Sequence, residues 1–214
     1  MNTILRGKIS DGWINLKKNK GLSSAAAIAK LKKKFSLKKI GHMGTLDPLA
    51  TGVLAVAIGQ ATKTINYIRN NEKIYTFSIK WGEETDTDDE EGAVVKSSDI
   101  RPKKSQVESV IKNYFLGRIK QKPPKYSAVK INGERAYKLA RQNRNFDIKF
   151  KNINIISFDL IKYDDKDQAD FKTRCSSGTY VRSLARDLSK KLGTFGHALN
   201  IERLEDNFFK INNS

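Results

Sequence analysis

The hydrophobic positions of this 214-residue chain change period several times, and each change marks an element. In "DGWINLKKNKGLSS" a short strand gives way to a basic turn, and Ser23 or Ser24 stands where a hydroxyl caps the following helix. Within that helix Ile28, Leu31 and Phe35 recur at i, i+3 and i+7. Lys30, Lys32, Lys33 and Lys34 fall mostly off that stripe, so one face is expected to pack and the other to meet phosphates. "GVLAVAIG" is short, continuous and bounded by glycines, the pattern of a buried strand. "ATKTINYIRN" reads as helix. "KIYTFSIKWG" sets Tyr75, Phe77, Ile79 and Trp81 against Ile74, Thr76, Ser78 and Lys80, the alternation of a half-buried strand.

Further along, "SQVESVIKNYF" is an amphipathic helix starting near Ser105. "GRIKQKPPKYSAVKINGERAYKLARQN" predicts a strand, a Pro-Pro break, a strand ending at Asn132-Gly133 and a helix from Glu134. "FDIKFKNINIISFDLIKYD" is a long strand with a bend, and "ADFKTRCSS" is another strand. "TYVRSLARDLSKKLG" is a helix with Val181, Leu184, Ala185, Leu188 and Leu192 on one stripe, stopped by Gly193. "GHALNIERL" is a last strand. There is no internal repeat, low-complexity tract or linker. Strands joined by hairpins with irregularly interspersed helices predict an α+β fold, a mainly antiparallel mixed sheet flanked by helices; the βαβα alternation of a Rossmann fold is missing. The length suits a single domain over residues 1–214 with a sizeable core.

Composition narrows the function classes. No window approaches the roughly 18–20 apolar residues of a membrane span, and "MNTILRGKISDGWINL" lacks the apolar core of a secretory leader. The single cysteine, Cys175, has no internal partner, which points to a reducing cytoplasm. His42, His197 and Cys175 do not have metal-ligand spacing. Charge changes the picture most. Lys and Arg number 41 against 23 acidic residues, a net charge of +18. Seven of those acids sit in "EETDTDDEE" (residues 83–91), leaving 41 basic residues against 16 acidic ones elsewhere. Such a field suits a polyanionic partner, most simply nucleic acid, although a lysine-rich solvated surface gives the same count. Nothing predicts a coiled coil or an exposed apolar stripe, so a monomer is expected.

The chemistry-bearing stretches follow from the pattern. In "GHMGTLDPLATG" three glycines free the backbone, and Pro48 biases Asp47 away from the helical region. The loop displays a carboxylate for chemistry, or Asp47 caps a turn; the residues alone leave both readings open. It lacks the Gly-Lys-Ser/Thr ending of a phosphate-binding loop. Arg182 lies at the border of its helix stripe, as a surface arginine or one tucked against a carboxylate from another segment. Tyr75 packs in a core or offers a platform for a flipped base. "DTDDEEG" fails the calcium-loop template, since Gly92 is one position late, and reads as a solvated acidic loop. Cys175 inside an apolar strand reads as packing rather than as a thiol nucleophile with His42 or His197 as base.

Taken together and in order, "GHMGTLDPLATGVLAVAIGQATK", "KIYTFSIKWGEETDTDDEEG", "PPKYSAVKINGERAYKLAR" and "RCSSGTYVRSLARDL" closely resemble the TruB family of tRNA pseudouridine synthases. The resemblance implies the pseudouridine synthase fold and isomerisation of uridine 55 in the T-arm loop of tRNA, with no metal, nucleotide or redox cofactor. It implies that Asp47 is the catalytic aspartate. Tyr75 would stack on the flipped base and handle a proton, and Arg182 would pair with the aspartate. His42, Tyr180 and Ile201 are implied to contact the RNA or target nucleoside, Lys18 to be a basic residue of the N-terminal loop, and Tyr126 and Lys130 to belong to a further motif near the site. Many relatives carry a C-terminal PUA-type RNA-binding module, and none is expected here.

The chain departs from the family pattern in three places. Lys17-Lys18-Asn19 replaces acid-Lys-Pro, Met43 stands beside His42, and "IERLEDNFF" replaces an Arg-rich ending. The chemistry suits the residues independently. Glycosidic cleavage builds positive character on C1′, which a carboxylate stabilises, and a uracil must leave its stack to be reached. A non-catalytic RNA-folding protein, and a synthase acting on a T-arm-like messenger-RNA hairpin, are the alternatives.

Overall fold

The computed structural model describes residues 10–68, 72–164 and 167–213. The expectation of no secretory leader falls partly on residues 1–9, and the helix predicted in "ATKTINYIRN" ends on residues 69 and 70; both lie outside the described residues. The chain runs β1 (Gly12–Lys18), α1 (Ser24–Lys34), β2 (Ile40–His42), β3 (Thr51–Ile58), α2 (Ile65–Ile68), β4 (Lys73–Trp81), β5 (Glu83–Thr85), β6 (Val94–Ser97) and α3 (Lys104–Tyr114). It continues β7 (Gly117–Gln121), β8 (Lys130–Ile131), β9 (Glu134–Arg135), α4 (Ala136–Arg141), β10 (Lys151–Asp164), β11 (Gln168–Cys175), α5 (Val181–Lys191), β12 (Gly196–Asp206) and β13 (Phe209–Lys210). Among the described residues no helix is long and apolar enough to cross a membrane.

The chain divides into two compact units, Met1–Asn71 with Arg203–Ser214, and Glu72–Glu202. In the first, β3 is the central strand because its run of small and branched apolar residues can be buried on both faces; Val53, Leu54, Ala55, Val56 and Ala57 have no exposed surface. β1 pairs antiparallel with it from Gly12↔Ile58 to Lys18↔Gly52, and β2 pairs along its other edge from Ile40↔Ile58 to His42↔Val56. Residues 203–206 of β12 follow, extended by β13. Gly52 has φ +100, and a Cβ there would lie 2.2 Å from the Arg203 carbonyl oxygen, so no other residue allows this approach.

Helix α1 is capped as its sequence predicts, with Ser23 Oγ accepting from the Ala26 N–H at 3.1 Å. Its expected apolar stripe packs only in part. Ser24 and Ala27 are the buried residues, Ile28 and Leu31 are half-buried, and Phe35 is 43% exposed. The helix ends at Lys34, so Phe35 leaves the stripe as the C-cap, with the Lys34 ammonium 5.6 Å from its ring.

In the second unit the strand order is β12–β4–β11–β10–β7. The β4–β11, β11–β10 and β10–β7 pairings are antiparallel, and register shifts in β10 supply the predicted bend. Helices α3 and α5 lie against β10 and β4 respectively. Beneath them Phe77, Trp81, Phe115, Phe158 and Phe171 form a cluster with centroid separations of 5.4–6.2 Å. The helix predicted from Glu134 starts two residues late. Asn132 and Gly133 both take positive φ (49° and 90°), the geometry of a two-residue hairpin turn, and this commits Glu134 and Arg135 to pairing with Ile131 and Lys130.

Candidate active site

The loop after β2 is fixed on both flanks of Asp47. Upstream, Leu46 exchanges two hydrogen bonds with the buried Ser24 hydroxyl, accepting at 2.9 Å through its carbonyl and donating at 2.8 Å through its N–H. Downstream, the Pro48 carbonyl accepts from the Gly21 N–H at 2.9 Å and from Lys18 Nζ at 3.1 Å. The Asp47 carbonyl itself accepts from the Ala50 N–H at 3.1 Å. Leu46, Leu49 and Ala50 bury their side chains, Asp47 is half-buried and Pro48 is exposed, all on a pinned backbone. Arg203, also buried, ties the start of the loop through Nη2 to the Gly44 carbonyl (3.0 Å) and through Nε to the Val53 carbonyl (2.8 Å).

Lys18 therefore does something the sequence did not announce. It is 1% exposed, and its ammonium also donates to the carbonyls of Asn19 (3.0 Å) and Leu22 (2.7 Å). The charge of this basic residue is directed at backbone, where it strings the N-terminal turn to the Asp47 loop. Lys18→Met is expected to lower unfolding stability by about 2 kcal/mol, since charge-assisted bonds to three carbonyls are lost. The rate of any Asp47-dependent reaction should fall with it. Urea denaturation and single-turnover kinetics check the two effects. His42, at the end of β2, is half-buried with Nδ1 lacking a hydrogen-bond partner. Burial lowers its pKa, reinforced by the Arg203 charge and opposed by the Gly44 backbone and by Asp206.

In the second unit Tyr75 lies on β4 opposite Thr173, on the same buried strand face as Phe77. Arg182 is not a surface arginine. It sits on the first turn of α5 with its side chain 4% exposed, Nη1 3.1 Å from Asp89 Oδ2 and donating to the Thr87 carbonyl at 2.9 Å. Its Nη2 donates to the Tyr126 carbonyl at 3.0 Å, so Tyr126 and Arg182 are brought together. Tyr126 Oη donates to Asp86 at 3.5 Å, and burial with that neighbouring charge raises its pKa. Tyr180 is the residue immediately before α5. Ile201 is buried on β12, and Lys130 is exposed on the β8–β9 hairpin.

The acidic stretch corrects the expectation of a solvated loop. Thr85, Asp88 and Asp89 are buried, because α5 turns its cations toward them. Arg182, Arg186 and Lys190 recur every four residues, one helical stripe, and meet Asp89 (3.1 Å), Asp88 (2.7 Å) and Glu84 (2.9 Å). Asp89 Oδ1 further accepts from Thr87 Oγ1 at 2.6 Å and the Glu91 N–H at 3.1 Å. That i, i+4, i+8 spacing beside an acidic run was the available signal. Burial pushes the Asp88 pKa up to about 6 against the pull of Arg186 and Arg182. A carboxyl raised in the fold binds more protons folded than unfolded between about pH 4 and 6, so its contribution to stability grows as pH falls. Relative to Asp88→Asn, the unsubstituted protein should gain on the order of 2 kcal/mol on acidification through that window. Paired denaturation curves at several pH values measure it.

Among the described residues no group of three or more His, Cys, Asp and Glu side chains has metal-holding geometry. Cys175 is buried, and burial pushes its thiol up to about 11, which fits packing rather than nucleophilic attack.

Residues 32–181 match the TruB family pseudouridylate synthase (N terminal domain). The chain is 46% identical over 200 residues to tRNA pseudouridine synthase B of Brucella anthropi, covering 94% of this chain and 61% of that protein. It is 48% identical over 205 residues to the protein of the same name from Wolbachia pipientis subsp. Culex pipiens, covering 95% and 58%. The chain thus spans less than two thirds of the length of these relatives. A chain of the solved Cbf5-Nop10-Gar1 complex superposes with a TM-score of 0.71 at 28% identity, covering 93% of this chain and 50% of that one, and bears out the expected pseudouridine synthase fold. On this match and these identities, the chain belongs to the TruB family of pseudouridylate synthases.

Proposed function

We propose that this chain isomerises uridine to pseudouridine in tRNA, at position 55 in the T-arm loop. The observation that carries the reading is the pinned loop, in which Ser24 on one flank and Lys18 with Gly21 on the other hold the backbone around the half-buried Asp47. A carboxylate whose only task is to cap a turn needs no such bracing. A misplacement of about 1 Å, in contrast, can cost a catalytic group on the order of 100-fold in rate.

In the reaction the target uridine leaves its stack, at a cost of a few kcal/mol that phosphate contacts to the basic surface offset. The bond from C1′ to N1 breaks and N1 gains a proton. The uracil rotates, C1′ bonds to C5, and the C5 hydrogen leaves to solvent. Asp47 supplies the negative charge that stabilises C1′. Tyr75 stacks on the freed base and handles the proton. Arg182 supplies the fixed positive charge that orients the carboxylate chemistry, and His42, Tyr126, Tyr180, Ile201 and Lys130 hold the nucleoside and its strand. The reaction consumes no oxidant, reductant or phosphoryl donor, so the reading assigns no metal or cofactor. It takes residues 1–214 as one catalytic domain acting as a monomer in the cytoplasm.

Loss of the C5 hydrogen gives a direct test. A T-arm hairpin carrying tritium at C5 of its uridines, incubated with the protein alone, should release label to water from the loop uridine. A hairpin with cytidine at that position should release none. Equal release from both hairpins would contradict position 55 as the target, and no release from either would contradict the reaction.

A further inference from the structure

Helix α5 begins without a side-chain cap of its own. Its N-cap is Tyr180 (φ −102°, ψ 111°), whose phenol makes no capping bond. The bracing comes from the end of β7. Gln121, 1% exposed, accepts the Tyr180 N–H through Oε1 at 2.9 Å and donates from Nε2 to the Tyr180 carbonyl at 3.1 Å. A planar side-chain amide carries one donor and one acceptor side by side, so it grips both polar groups of a single backbone residue as a neighbouring strand would. The next residue continues the joint. The Lys122 carbonyl accepts from Ser183 Oγ at 2.9 Å and from Arg186 Nη2 at 2.8 Å. Opposite Gln121 in the β7–β10 register stands Lys151, whose ammonium lies 5.5 Å from the Tyr180 ring.

We propose that Gln121 is a positioning residue of the reaction: its amide fixes the backbone of Tyr180, and through it the first turn of α5 that carries Arg182. The inference rests on the pseudouridine synthase reading and adds a residue to it. Tyr180 and Arg182 are separated by one residue, so a small rotation of the helix start moves both. Because Gln121 is 1% exposed, water does not readily take the place of its amide.

Gln121→Glu tests this, because a carboxylate keeps the acceptor but loses the donor, while a protonated carboxyl restores a donor of the same reach. At about pH 8 the variant should show kcat roughly 10–100-fold below the unsubstituted protein, with KM for the T-arm hairpin within about threefold. The ratio of variant to unsubstituted kcat should rise on acidification to about pH 6, since burial raises the carboxyl's pKa into that range. Hydrogen exchange should show the Tyr180 amide still protected in the variant, whose carboxylate keeps the acceptor, while the Leu184 amide, which donates to the Tyr180 carbonyl at 3.1 Å, exchanges faster than in the unsubstituted protein at the higher pH. A kcat equal to the unsubstituted value at both pH values would overturn the assignment. So would a loss that tracks the folded fraction and does not recover on acidification. If Gln121→Glu does not fold, Gln121→Asn, with the same groups one methylene shorter, takes its place, and an unchanged kcat there overturns the assignment too. An inactive unsubstituted protein would instead overturn the reading of the function, and with it the purpose assigned to the clamp.

Discussion

Asp47→Asn is expected to lower the rate of pseudouridine formation by roughly 10³-fold or more, the scale at which removing the ionisable member of a catalytic set acts. Affinity for the T-arm hairpin should change by less than about threefold, because phosphate contacts dominate nucleic-acid affinity and Asp47 makes none. The substitution is nearly isosteric. The bracing of the loop runs through the backbone of Leu46 and Pro48 and through the Asp47 carbonyl, which the substitution leaves in place. The fold should therefore survive, and thermal unfolding within a few degrees of the unsubstituted protein is the control. Single-turnover conversion and filter binding on the same hairpin separate the two effects. A parallel fall in binding and rate would assign Asp47 to RNA recognition instead.

The second large effect is structural and reaches the site indirectly. Asp89 and Arg182 face each other at 3.1 Å with both side chains 4% exposed. Asp89→Asn keeps the shape but removes the counter-charge, and breaking a buried ion pair from one side costs on the order of 3 kcal/mol or more. In a chain of this size that corresponds to a fall in Tm of roughly 6–12 °C. The neighbouring pair, Arg186 with Asp88 at 2.7 Å, shares the acidic stretch, so the two are expected not to be additive. Activity should fall more than the loss of folded protein explains, because without the Asp89 charge the Arg182 guanidinium shifts toward the Thr87 and Tyr126 carbonyls that also hold it. Differential scanning calorimetry beside kinetics corrected for folded fraction checks both parts. A variant with unchanged Tm would show that the pair contributes no more than a surface salt bridge.

What the sequence made legible was mainly local. The buried run of β3 and the alternation of β4 follow from their own side chains, and so does the apolar stripe of α5. The loop around Asp47 was legible for the same reason, since its glycines and proline act within a dozen residues. What was hidden depends on contacts between distant segments. Arg182 donates to a carbonyl 95 positions away, and nothing inside "EETDTDDEE" says that its charges are counter-ions for a helix rather than a solvated surface. Nothing in the residue types of Lys18 and Arg203 announces that both are buried and bond backbone carbonyls around the Asp47 loop, Arg203 also facing Asp206 at 3.4 Å. Gln121 carries no charge and no motif, and its importance appears only when the end of β7 meets the start of α5. In α1 the periodicity marked the packed face, on which Ile28 and Leu31 are half-buried beside Ser24 and Ala27, but it did not show that the deepest positions are small residues, with Ser24 there to bond Leu46, or that the helix ends before Phe35.

The measurement that tests the central claim most directly is site-resolved mass mapping of an unmodified tRNA T-arm hairpin after incubation with the protein and with its Asp47→Asn variant. Pseudouridine has the mass of uridine, so the product is first tagged with a pseudouridine-specific reagent. The account predicts a tag at the loop uridine with the unsubstituted protein and none with the variant. Tight, salt-sensitive binding without any tag, or an equal tag from both proteins, would contradict it.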